Sequence, residues 1–242
     1  MSVKRIAVIP AYEPVKEMIP LLKEAKAQDL DLLVVDDGSG EAYREIFRQA
    51  EEYARVLSYP ENRGKGAALR TAFQWLLQNE PGDYHVIQLD SDGQHALRDA
   101  LLLLNRLAEE EDALWLGSRI LPKDAPFRSR VGNDINRFLF SRISGTSVYD
   151  VQTGMRAFSS RLLPLMADAP GDRYEYEMNV LLEAARKKIP IREMEIETIY
   201  IDKNASSHFR PLRDSFRIYG RILRSAGSFS RGDDGSNNKS AE

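Results

Sequence analysis

Cysteine is absent from the 242 residues, which excludes disulfides, thiolate nucleophiles and thiolate metal sites and is compatible with a reducing cytoplasm. Long apolar runs are missing too, so no stretch is expected to span a bilayer and any membrane contact is expected to be peripheral. Met1-Ser2-Val3-Lys4-Arg5 passes straight into Ile6-Ala7-Val8-Ile9, which is too short for the apolar region of a signal peptide. Nor is there an excess of one charge. The 34 Lys and Arg against 37 Asp and Glu leave a net charge of −3, which argues against a general nucleic-acid binder. With 43% hydrophobic residues the chain can bury a core without staples, as one α/β domain or one domain with a small appendage.

What is present is an alternation of short apolar runs with amphipathic stretches. Runs at 6–9, 30–35, 56–59, 86–89 and 113–119 read as strands, and the segments 15–28, 41–53, 67–78 and 96–109 between them carry apolar residues at helical spacing. That order predicts a mostly parallel sheet with helices on both faces. Beyond it, 128–143 reads as a basic helix, 150–158 as an exposed-edge strand or loop, 174–187 as an amphipathic helix, and 189–201 as a strand pair or one long strand. Residues 208–224 place Phe209, Leu212, Phe216 and Tyr219 on one side of a helix and Arg210, Arg213, Arg217, Arg221 and Arg224 on another. Such a helix suits either an anionic membrane face or packing on the sheet with its arginines solvated. The expected organisation is one domain over 1–225, with 1–118 as a nucleotide-binding half and 119–225 as an acceptor half, followed by a disordered tail at 226–242.

The strand ends carry the chemistry. The run Val86-Ile87-Gln88-Leu89 empties into Asp90-Ser91-Asp92-Gly93-Gln94, and in open α/β sheets ligands sit at the carboxyl ends of the strands. Asp90 and Asp92, with Gln94, offer hard oxygen ligands suited to Mg²⁺ or Mn²⁺ bound together with substrate phosphates. The same residues are also compatible with plain helix capping, or with a phosphatase using Asp90 as nucleophile. Three further strand-end loops belong with them: Pro10 to Glu13, Asp36 to Ser39, and Asn62 to Gly66. Asp37 can accept from a base or ribose. Gly64 and Gly66 let backbone N–H groups approach a phosphate, and Lys65 adds a compact positive charge. The Gly64-Lys65-Gly66 turn is neither a P-loop nor a dinucleotide fingerprint.

These motifs, in this order, resemble glycosyltransferase family 2, and within it the polyprenyl-phosphate branch that includes dolichyl-phosphate mannose synthases. The matching blocks are Ile9-Pro10-Ala11-Tyr12-Glu13, Val34-Val35-Asp36-Asp37-Gly38-Ser39, Asn62-Arg63-Gly64-Lys65-Gly66, Leu89-Asp90-Ser91-Asp92-Gly93-Gln94, Gly117-Ser118-Arg119, and 150–158. The resemblance covers about the first 200 residues and is specific for the family, not for the sugar.

It implies a GT-A fold, a nucleoside-diphosphate sugar donor such as a UDP- or GDP-sugar, and a divalent cation, Mg²⁺ or Mn²⁺, on Asp90, Asp92 and Gln94. It further implies that Pro10, Tyr12, Glu13 and Asp37 surround the nucleoside, and that transfer inverts the anomeric centre. A polyprenyl-phosphate acceptor needs no strong base, and Arg119, Arg130, Arg137 and Arg156 are then candidates to hold its phosphate. A saccharide hydroxyl acceptor needs one, for which Asp150, Glu175 or Glu177 would serve. Tyr174-Glu175-Tyr176-Glu177 departs from the family's common Glu-Asp pair. His95 is expected to start a helix, and Ser206 or Ser207 to cap one with His208 solvated. The location implied is cytoplasmic, with possible peripheral contact at the inner membrane face. Two further readings remain, a phosphatase and a non-catalytic nucleotide-sugar sensor. The phosphatase is disfavoured because three strands precede Asp90 and Gln94 stands where Thr or Val is wanted.

Overall fold

The computed structural model describes residues 3–93, 96–119 and 127–197, without the side chains of 127–133 and 135. The strands are β1 (Lys4–Ala11), β2 (Asp31–Asp36), β3 (Arg55–Ser58), β4 (Tyr84–Gln88), β5 (Leu114–Arg119), β6 (Arg156–Ser159) and β7 (Ile191–Ile196). The helices are α1 (Met18–Ala27), α2 (Arg44–Ala50), α3 (Lys65–Asn79), α4 (Leu97–Glu109), α5 (Phe127–Ser144), α6 (Leu163–Asp168) and α7 (Glu175–Arg186).

The strands form one sheet in the order β3, β2, β1, β4, β6, β5, β7. All neighbours are parallel except β6, which runs antiparallel to both β4 and β5. The apolar runs form these strands because both faces of the sheet are covered. On one face α3, α6 and α7 supply Leu69, Phe73, Met166, Tyr176 and Leu181, and Phe73 meets Phe158 of β6 edge to face at 5.4 Å. On the other face α1, α2 and α4 supply Leu22, Phe47, Leu103 and Leu104.

Two sequence expectations change. The 150–158 segment is no exposed edge: its second half is β6, buried at every residue between β4 and β5. The strand expected at 189–201 is a single strand, β7, at the sheet margin within the described residues. Helix α6, with Pro164 in its first turn, was not foreseen. The helix expected at 208–224, the 226–242 tail, Gln94, His95, Ser206, Ser207, His208 and the Arg130 side chain lie outside the described residues.

Register places the chemistry. Ala11 pairs with Asp36, Asp36 with Ser58, and Leu89 N donates to Val8 O, so the C-terminal ends of β1 to β4 share one edge. Because β6 is reversed, Arg156 pairs with Gln88 and its N-terminal approach, residues 150–155, joins the same edge. Residues 117–119 of β5 follow beside it.

Candidate active site

Pro10 is the penultimate residue of β1, past the point where pairing toward β4 ends at Val8 and Gln88, so its missing N–H costs no strand bond. The next loop is pinned to the Asp36–Ser39 turn. Asp37 N donates to Ala11 O, Ser39 N to Asp36 Oδ1, and Glu13 N to Ser39 Oγ at 2.9 Å. Pro10, Tyr12 and Glu13 therefore stand beside the Asp37 turn. Glu13 holds a positive φ of 49°. Hydrogen bonding to Glu13 raises the Tyr12 hydroxyl above its ordinary pKa.

Asp37 plays a different part from the base or ribose contact expected of it. Its carboxylate is 2% exposed and accepts from Tyr59 Oη at 2.7 Å, Arg63 N at 2.8 Å and Gly64 N at 2.9 Å. It thus holds the loop that leads into α3, taking up the N–H groups of Arg63 and Gly64 just ahead of the helix. Burial and the adjacent Asp37 push the Tyr59 hydroxyl up, keeping it a donor, and Arg63 lies 4.7 Å over the Tyr59 ring. Tyr59→Phe removes a charge-assisted hydrogen bond and should cost about 1.5 kcal/mol. At about 2–4 °C per kcal/mol the melting point falls by roughly 3–6 °C. An unchanged melting point would show that Asp37 does not depend on Tyr59.

The glycines of this turn are also reassigned. Gly64 N is taken by Asp37, and a Cβ on Gly64, at φ +103°, would strike Asp172 O and Arg173 Cγ. A Cβ on Gly66 would meet Tyr176 Cβ at 2.6 Å and Gly171 O at 2.7 Å. Both glycines permit a close approach to the loop before α7, and Gly66 also to Tyr176 in the first turn of α7. Arg70 fixes that loop from α3 by donating to Gly171 O and Asp172 Oδ1, and Ala67 N donates to Asp172 O.

This docking brings Lys65 under Glu177. Its ammonium lies 2.7 Å from Asp90 Oδ1 and 3.0 Å from Glu177 Oε1, with the lysine side chain 17% exposed. Burial alone would lower the Lys65 pKa; the two carboxylates reverse that and hold it above its usual value. Asp90 is confined from behind as well. A Cβ on Gly154 would stand 2.7 Å from Asp90 Oδ1 and closer still to Oδ2, so the carboxylate packs directly on the Gly154 backbone. Sequence matching included Gly154 without giving it a role.

Across the site, Arg119 donates through Nε to Asp150 Oδ2 at 3.1 Å. Burial opposes its charge, but Asp150, then Asp90 and Asp92, hold the guanidinium pKa above its ordinary value, so Arg119 lies in the field of all three carboxylates. Asp150 is itself held: Glu193 of β7 accepts from Tyr149 N, Asp150 N and Ser118 Oγ. Glu193 escaped sequence reasoning, since nothing distinguishes it from the other charged residues of its strand. Arg137 stacks at 5.3 Å on Tyr149 of the same loop. Arg156 differs from the phosphate-holding role expected of it. It is fully buried and donates to Thr153 O, Glu177 O and Val151 O. It has no face for a ligand and instead ties the 150–155 loop to α7.

The three residues considered as a base are buried. Asp150 pairs with Arg119, Glu177 pairs with Lys65, and Glu175 accepts weakly from Asp172 N at 3.4 Å.

For a metal, the donor set is two hard carboxylates on one short turn, Asp90 held in place by Gly154 and Lys65, and Asp92 two residues on. Among the described residues no group of three or more His, Asp or Glu forms a complete cage. Two carboxylates fit a cation such as Mg²⁺ or Mn²⁺, which takes its remaining ligands from water and substrate phosphates.

An open sheet with a strand-end acidic pair and a reversed strand beside it is the architecture of a GT-A glycosyltransferase. The chain belongs to glycosyl transferase family 2, whose family model matches residues 6–164. It is 27% identical over 237 residues to UDP-N-acetylglucosamine–dolichyl-phosphate N-acetylglucosaminyltransferase of Methanococcus voltae, covering 89% of this chain and 93% of that one. It is 25% identical over 229 residues to dolichyl-phosphate beta-glucosyltransferase of Saccharomyces cerevisiae, covering 81% and 66%. Among solved structures, glucosyl-3-phosphoglycerate synthase of Mycobacterium tuberculosis with Mn²⁺, UDP-glucose and phosphoglyceric acid superposes with a TM-score of 0.69. There identity is 22%, over 93% of this chain and 80% of that one, and the likeness supports the fold. Among the described residues no helix is long and apolar enough to cross a membrane.

Proposed function

We propose that this glycosyltransferase moves a sugar from a nucleoside-diphosphate donor to a polyprenyl phosphate with inversion, using a divalent cation held by Asp90 and Asp92. One observation carries the choice of acceptor: each carboxylate considered as a base is buried, and the two closest to the site are ion-paired to Lys65 and Arg119. An acceptor that must lose a proton is poorly served by such a site, whereas a phosphate oxygen arrives anionic. Arg119 and Arg137, each tethered to the Tyr149-Asp150 loop, would hold that phosphate as cations. The relatives from Methanococcus voltae and yeast carry dolichyl phosphate in their names, which supports the same class.

Pro10, Tyr12 and Glu13 form the nucleoside side of the site, beside the turn that Asp37 braces. The cation, when bound, offsets charge on the departing diphosphate. Lys65 adds a fixed positive charge beside Asp90, and the paired carboxylates keep it protonated through the reaction. Contact with the membrane is peripheral in this reading, where the lipid acceptor resides.

The test is transfer by the full chain from UDP- and GDP-sugars to a short polyprenyl phosphate with Mn²⁺, followed as nucleotide release and glycolipid formation. Product forms with one donor and stops on chelation with EDTA. Nucleotide release that persists in EDTA removes the metal. Transfer to a saccharide hydroxyl but not to the lipid phosphate overturns the acceptor, and no release with any donor overturns the whole reading.

A further inference from the structure

Lys65 sits where a divalent cation would feel it most. Its ammonium is 2.7 Å from Asp90 Oδ1, on a carboxylate that the cation is to share. Asp90 cannot turn away to meet the cation elsewhere, because the Gly154 backbone closes its other side. The Lys65 ammonium cannot easily leave either. Its helix is clamped at Asp37 and Asp172, and Glu177 holds it at 3.0 Å with a carboxylate that is 2% exposed. A dication on Asp90 therefore arrives against a resident cation that has nowhere else to go, in a half-buried site where such repulsion is weakly screened. The charge that relieves this conflict is a diphosphate, which both cations can share.

We propose that Lys65 makes cation binding conditional on the nucleotide: the protein alone holds a divalent ion poorly, and the diphosphate and the ion load together. This rests on the metal-dependent reading above and adds a rule of assembly to it. Its use is chemical economy at the site, since the cation is recruited where a diphosphate is present to be activated. Coupling of this kind is reciprocal, so Mn²⁺ tightens UDP by the same factor that UDP tightens Mn²⁺.

The experiment is Mn²⁺ titration of the full chain by electron paramagnetic resonance, with and without UDP or GDP, for wild type, Lys65→Gln and Lys65→Arg, with thermal melts of each. The wild type binds Mn²⁺ at least tenfold more tightly with nucleotide than without, within the usual range of coupling, about 5- to 150-fold. Lys65→Gln binds Mn²⁺ alone about tenfold more tightly than wild type, and the enhancement by nucleotide shrinks by a similar factor. Lys65→Arg, which keeps the charge, follows the wild type. Unchanged or weaker Mn²⁺ binding by a folded Lys65→Gln overturns the proposal, as does tightening by Lys65→Arg. Should Lys65→Gln not fold, equal wild-type affinity with and without nucleotide overturns it on its own. No Mn²⁺ binding by wild type under any condition is a different failure, that of the metal-dependent function.

Discussion

Gly154→Ala should fold, melt close to wild type, and lose transfer activity by about 10²-fold or more, since an ångström of misplacement at a reacting centre costs about that much. Gly154 does not need glycine for its backbone: it is not among the residues with positive φ. What forbids a side chain there is the Asp90 carboxylate, whose Cγ would lie 2.6 Å from the new methyl. The methyl meets no backbone of another segment among its nearest neighbours, only the end of a short side chain, so the strain is relieved by Asp90 moving rather than by the fold. Asp90 then leaves Lys65 and the cation position proposed for it with Asp92. The measurement is turnover at saturating donor alongside a thermal melt. Near-wild-type turnover would mean that Asp90 has freedom its packing denies, and a collapse in melting point would make Gly154 structural.

Much of this site was legible because strand ends advertise themselves. Apolar runs that stop at Asp36-Asp37-Gly38 and Asp90-Ser91-Asp92 identify an edge rich in acid, and the α/β order puts those stops side by side. What could not be read was who satisfies whom. Asp37 looked like a ligand contact because an acid in a turn is drawn the same way whether it faces a base or an N–H of the next loop. Gly64 and Gly66 announced a close approach, and the approaching groups are backbone and side chains of residues 171–176, more than a hundred positions away. The 150–158 segment was read as an exposed-edge strand or a loop, and it carries Arg156 within it. A strand with a cation in it looks solvated until main-chain carbonyls from three places are found to enclose that cation. Its insertion between β4 and β5 is a long-range pairing with no local signature. Glu193 is the extreme case, an ordinary strand glutamate whose importance lies in two amides more than forty residues earlier.

Arg156 gives the second large effect, and it separates architecture from chemistry. Its guanidinium is fully buried, and desolvation draws its pKa below the ordinary value, although an arginine at neutral pH stays charged. Arg156→Met removes the cost of burying a cation but leaves the carbonyls of Val151, Thr153 and Glu177 without their donor. Unsatisfied buried acceptors cost about 1–3 kcal/mol each, and partial relaxation with the relieved desolvation brings the net loss to about 3 kcal/mol. For a domain of this size that lowers the melting point by about 10 °C. Arg156→Lys recovers only part of the loss, because one ammonium cannot reproduce a planar fork aimed at separate carbonyls. The informative quantity is the acceptor KM of the folded fraction well below the melting point. If Arg156 only ties the 150–155 loop to α7, any rise in acceptor KM comes together with the fall in melting point, since the same loop carries Asp150, the partner of Arg119. A raised acceptor KM with the melting point unchanged would return Arg156 to the phosphate-binding role that its burial argues against.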